Sequence, residues 1–129
     1  MRRSVTTIAL LVLVAACARS NTKTYDPDRS AAALQRVGWI VTRVATPPET
    51  VGGGRQLAYL ETTAPDRRRI DLQFLEGPDG AADELAARRR RTRDFAGTAI
   101  GSVVVVPAGE RTDDLPDADV TALRSHLAT

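Results

Sequence analysis

Arg69-Ile70-Asp71-Leu72-Gln73-Phe74-Leu75-Glu76 alternates apolar and polar side chains with a period of two, the pattern of a strand with one face on a core. Ile70, Leu72 and Phe74 form the inward set, and Arg69, Asp71 and Gln73 the outward one. Gly77-Pro78-Asp79-Gly80 follows as a turn. Residues 81–96 then read as a helix stopped by Gly97, with Leu85 and Phe95 on its inward side. A further strand runs from residue 98 or 99 to 106, where Pro107 ends it. Residues 103–106 are apolar on both faces, which places that strand centrally in a sheet. Residues 116–127 form a closing helix with Val120, Leu123 and Leu127 inward.

On the N-terminal side of the deciding strand, residues 57–63 and 40–45 read as two more strands. Between them, Pro47-Pro48 and Gly52-Gly53-Gly54 mark residues 46–56 as a long mobile loop. Asp26-Pro27-Asp28 opens a helix, with an Asp cap and Pro at the first helical position. Ala33, Leu34 and Val37 make its buried stripe, Gly38 is a left-handed stop, and Trp39 packs back on it. The order α-β-β-β-α-β-α predicts a single α+β domain over residues 26–129: a mostly antiparallel four-stranded sheet with packed helices.

The N-terminus has a different character. Met1-Arg2-Arg3-Ser4 is positive, residues 5–14 are apolar except for Thr6 and Thr7, and a polar run follows Cys17. These are the parts of a secretory signal. Val14-Ala15-Ala16-Cys17 resembles the lipobox of bacterial lipoproteins. The resemblance covers residues 1–17 only. It implies cleavage before Cys17, lipidation of its thiol, and anchoring at the extracytoplasmic face of the cell membrane. As an uncleaved helix, residues 5–18 would extend about 21 Å, short of the roughly 30 Å of bilayer hydrocarbon. The expected organisation is a signal at 1–16, a lipidated Cys and polar tether at 17–25, and the domain beyond. The tether is expected to have no buried side.

The chain has 18 basic and 16 acidic residues, and all the basic ones except Lys23 are arginine. Loss of Arg2 and Arg3 with the signal would leave a net charge of about zero, so the basic balance is no nucleic-acid signal. Cys17 is the single cysteine, so no disulfide within the chain is available and the fold rests on packing.

The strongest local charge is Arg88-Arg89-Arg90-Arg91 with Arg93. Glu84–Arg88 and Arg90–Asp94 are i,i+4 pairs, which fits a solvated helical face. At 100° per residue Arg89 lies inside the apolar arc and must snorkel out. Arg88, Arg89 and Arg93 are therefore the candidates for contact with an anionic surface or polymer. Arg67-Arg68-Arg69 reads as a charged turn. The C-terminal part is acidic, with Glu110, Asp113, Asp114, Asp117 and Asp119, so charge is segregated along the chain.

Catalytic chemistry has little support in the sequence. His126 is the only histidine, and no serine lies in a G-x-S-x-G elbow. No calcium-loop spacing is present, so neither a metal site nor a cofactor is expected. Asp71 and Glu76 are the candidate carboxylate pair. The expected function is non-enzymatic: a lipid-anchored envelope domain that binds another envelope protein, an anionic polymer or the membrane face. The alternative is a small hydrolase using carboxylates in a cleft beside the 46–56 loop. Acidic groups converging on a pocket would favour the hydrolase, and a flat or grooved surface the binding domain.

Overall fold

The inward half of the alternation that decides the fold is obeyed: Ile70, Leu72 and Phe74 are fully buried in the computed structural model, which describes residues 21–108 and 115–129. Gln73 of the expected outward set is fully buried as well, because α2 covers that face. In chain order the elements are α1 (Pro27–Arg36), β1 (Ile40–Arg43), β2 (Gln56–Thr63), β3 (Arg69–Leu75), α2 (Pro78–Arg91), β4 (Thr98–Ile100), β5 (Val103–Pro107) and α3 (Asp117–His126). The fold is α+β. Its sheet has the order β1-β2-β3-β5-β4, and every neighbouring pair is antiparallel.

The sheet has five strands where four were expected. The apolar run after residue 98 is a hairpin, because Gly101 adopts φ +52° and reverses the chain. Ile100 then pairs with Val103 and Thr98 with Val105. β5 lies one strand in from the edge, and Val103, Val104 and Val105 are all fully buried.

Helices cover both faces. On one face, α1 and α3 close the main core of Leu34, Trp39, Leu60, Ile70, Leu72, Phe74, Ile100, Val103, Val105, Leu123 and Leu127. Asp26 caps α1 by accepting the Arg29 N–H at 2.8 Å, and Gly38 stops it at φ +92°. The expected stripe of α1 is rotated. Ser30 and Leu34 are buried and Val37 is exposed, because Ser30 exchanges two hydrogen bonds with Ala128 of the C-terminal segment.

On the other face, α2 packs over β3, β5 and β4, against Leu75 and Val104. It begins three residues earlier than expected, since Pro78 fits the first helical position and the Ala81 N–H donates to the Gly77 carbonyl. It ends at Arg91, where Thr92 turns to extended backbone. Its inward residues are Ala81, Glu84 and Ala87, while Leu85 and Phe95 are only half-buried, so its expected inward face is also rotated.

The expected tether is partly built into the domain. Tyr25 is 6 % exposed within the main core. Its N–H donates to Ser102 Oγ at 2.8 Å, and the Ser102 N–H donates to the Lys23 carbonyl at 2.9 Å. The sheet therefore has two distinct ends. At one, β3 finishes and the N-terminal arm docks beside the Gly101-Ser102 turn. At the other, about 20 Å away along β3, lies the β2–β3 hairpin.

Candidate functional site

Glu84 organises the second face. Its side chain is 1 % exposed, which a carboxylate tolerates only with partners. It accepts the N–H of Gly52 at 2.6 Å and of Val51 at 3.1 Å. Burial alone would raise its pKa, but these amides and the nearby Arg88 overcome that and hold the carboxyl below its usual range. The loop expected to be mobile is thus pinned onto α2. Thr50 Oγ1 donating to the Gly54 carbonyl and Gln56 Nε2 donating to the Pro48 carbonyl tie it internally.

Arg88 belongs to this seam and is withdrawn from the anion-contacting set. Its Nε lies 3.4 Å from Glu84 Oε2, its guanidinium sits 5.7 Å from the centre of the Phe95 ring, and its side chain is 16 % exposed. The rotation of α2 makes Arg88 the arginine that turns inward. Arg89, expected within the apolar arc, is exposed, as are Arg90, Arg91 and Arg93.

The sheet floor beside this seam is polar. Tyr59 donates its hydroxyl to Asp71 Oδ2 at 2.7 Å, and burial with the Asp71 carboxylate pushes the phenol's pKa up. Burial and the Glu61 charge raise the Asp71 pKa, opposed by the Tyr59 hydrogen bond and by Arg69 and Arg88. Asp71 Oδ1 is buried without a hydrogen-bond partner among the described residues. The expected pair Asp71 and Glu76 is not brought together. The two lie about 17 Å apart along the chain, and Glu76 is 3.6 Å from Arg55. Glu61 is instead the carboxylate in register with Asp71 across the strands. Only the strand register reveals that pairing, since the two residues are ten apart in sequence.

The two arginine runs lie toward the same end of the sheet. Arg69 begins β3 at the hairpin end, next to the exposed Arg67 and Arg68. α2 starts where β3 finishes and runs back along it, with Gly80 beside Leu75 and Arg88 close enough to act on Asp71, so its last turn lies toward that same hairpin end. Both Arg69 and Arg88 are close enough to Asp71 to lower its pKa. Exposed Arg67, Arg68, Arg69, Arg89, Arg90, Arg91 and Arg93 thus share the end of the sheet remote from the docked arm. The turn itself is strained at its tip: Arg67 adopts φ +69°, a region arginine seldom occupies.

Acidic groups also reach this end. Arg68 Nε is 3.7 Å from Asp119 Oδ2 of α3. Burial and the adjacent Asp66 carboxyl raise the Asp119 pKa, with Arg68 opposing. Among the described residues, no three His, Cys, Asp or Glu side chains gather as a metal site, and no helix is long and apolar enough to cross a membrane. Cys17, the expected lipidation site, and the acidic Glu110, Asp113 and Asp114 lie outside the described residues.

No family model matches the chain, and no match to it was found among the curated proteins or the solved structures.

Proposed function

We propose that this protein is a lipid-anchored, non-enzymatic binding domain of the cell envelope, attached through Cys17, that takes an anionic envelope polymer on its arginine end. One observation carries the reading. Two arginine runs well separated in sequence point toward one end of the sheet, because α2 runs back along β3 from Gly80 beside Leu75 to Arg88 near Asp71. That end is opposite the one at which the N-terminal arm docks. A short anchor on that arm leaves the arginine end facing away from the membrane. Its ligand is then something above the bilayer. The lipobox resemblance of residues 14–17 supports the anchor, and seven exposed arginines support the anionic ligand.

The test is binding of the full chain, extracted in a neutral detergent, to polyphosphate across a salt series. Binding should weaken steeply with salt. Arg67→Gln with Arg69→Gln should weaken it roughly 25-fold at low salt, at about 1 kcal/mol per arginine, and Arg89→Gln with Arg93→Gln comparably. Arg55→Gln, at the end where β3 finishes, should leave it unchanged. Absence of binding at low salt would overturn the reading.

The second reading, a small carboxylate-dependent hydrolase, has one observation in its favour: Glu61 stands opposite Asp71 across the strands. It predicts an activity lost in Glu61→Gln and in Asp71→Asn alike, with polyphosphate binding retained.

A further inference from the structure

The arm that docks at the remote end also shapes a cavity. Asn21, Lys23 and Tyr25 of the arm face Arg124 of α3 around a space of about 140 Å³. That is room for roughly five waters, or for one small anion. Among the described residues the lining side chains carry an ammonium, a guanidinium, a phenol and an amide, and no carboxylate. Among the described residues, neither Lys23 nor Arg124 takes part in an ion pair. Tyr25 is fixed in the core and its hydroxyl donates to Asn21 Oδ1 at 3.4 Å, so one wall of the cavity is part of the fold.

Such a set suits a phosphate monoanion. The guanidinium offers a planar pair of donors, the ammonium a compact charge, and the Asn21 amide a further N–H. Its place in the chain supplies the source. Asn21 follows Cys17 by four residues, at most about 14 Å of extended chain. A lipid on Cys17 would hold the cavity at the level of the headgroups, in the polar layer just outside the hydrocarbon.

We infer that this cavity takes the phosphate of a membrane phospholipid headgroup beside the anchor and so fixes the tilt of the domain on the bilayer. The inference rests on the lipid-anchor reading. The docked arm removes free length from the tether, and the headgroup contact removes rotation about what remains.

The experiment uses the full chain in a neutral detergent, with the Tyr25 ring resonances as reporter. Two probes are titrated: inorganic phosphate, and phosphatidylglycerol carried in the micelle. Both should shift the Tyr25 signals saturably, with phosphatidylglycerol saturating at the lower concentration. Lys23→Gln and Arg124→Gln should each weaken the response about fivefold. Both side chains are exposed, so the fold should persist, and an unchanged thermal transition checks it. A response to inorganic phosphate alone would assign the cavity to free phosphate and overturn the headgroup inference. No saturable response to either probe, or an equal response in the double variant, would overturn the site itself. The intact mass of the same membrane-extracted sample tests the anchor separately: an unmodified Cys17 would end that reading whatever the titrations give.

Discussion

The Glu84 carboxylate accepts the Gly52 N–H at 2.6 Å, and this contact holds the Pro- and Gly-rich loop against α2. Glu84→Ala removes the acceptor for two amides and strands the half-buried Arg88, so it should destabilise by about 2 kcal/mol. Its folded pKa is depressed, so its contribution is present above the unfolded value near 4.3 and is lost as pH falls through the folded one. Glu84→Gln, which cannot ionise, should lose less stability than wild type between pH 5 and pH 3 in urea melts. Amide exchange at residues 51 and 52 should accelerate in both variants. Unchanged exchange would mean that the loop is held by its internal bonds alone.

Arg67 sits at φ +69°, where a side chain costs about 1–2 kcal/mol that glycine avoids. Arg67→Gly should therefore raise stability by about 1 kcal/mol, or about 4–8 °C in Tm for a domain this size. The same change should weaken polyphosphate binding about fivefold. Gain of stability with loss of binding is the expected signature of a residue kept for its charge. If binding is unaffected, the hairpin arginines lie outside the ligand's path.

How much of this was legible in the sequence depends on where each residue's partner lies. Ile70, Leu72 and Phe74 are readable because burial on one face of a strand leaves a period of two. The inward turn of Glu84 is not, because its justification is a pair of amides more than 30 residues away. A helical wheel that scores Glu as solvated therefore rotates α2 toward Leu85 and Phe95, and it assigns the snorkelling role to Arg89 in place of Arg88. Gln73 shows the same blindness: it is fully buried on the supposed outward face, with its amide donating to Gln56 at 2.8 Å. The split between β4 and β5 had a signal in Gly101, outweighed by the continuous valines after it. The two arginine runs were visible separately, but only the return path of α2 places them together.

Phe74 lies at the centre of the main core with no exposed surface. Phe74→Ala should cost about 3–5 kcal/mol, a large share of what a domain this size has. Chemical denaturation checks it, and a loss below about 1 kcal/mol would contradict the packing of β3.

Asp66 and Asp119 crowd one another beside Arg68, and burial with the Asp66 neighbour raises the Asp119 pKa. A raised carboxyl favours the fold below the unfolded value near 3.9, and that contribution is lost as pH rises through the folded value. Asp66→Asn removes the like charge yet keeps an oxygen to accept the Arg68 N–H, which Asp66 Oδ1 does at 3.0 Å. The variant should gain on the order of 0.5–1 kcal/mol at pH 7 and match wild type near pH 3. A loss of stability at pH 7 would mean that Asp66 acts there chiefly as a partner for the arginines.

The docking of the arm can be broken at either partner. Gly101 has φ +52°, and a Cβ there would collide with the Lys23 carbonyl and the Tyr25 ring. Gly101→Ala should therefore strain the β4–β5 turn and expel residues 23–25 together. Tyr25→Ala leaves the turn intact and removes only the buried ring, which contributes about 3 kcal/mol or less by area. A chain beginning at Asp26 should resemble Tyr25→Ala in stability, since both lose the same packing, and should lose the Ser102 bonds to Tyr25 and Lys23 as well. Comparing the three by urea denaturation separates arm from turn: Gly101→Ala should be the least stable, by about the 1–2 kcal/mol that a left-handed alanine costs. If the chain beginning at Asp26 is as stable as the full one, residues 23–25 are a loose tether after all, and the phosphate cavity they line loses its wall.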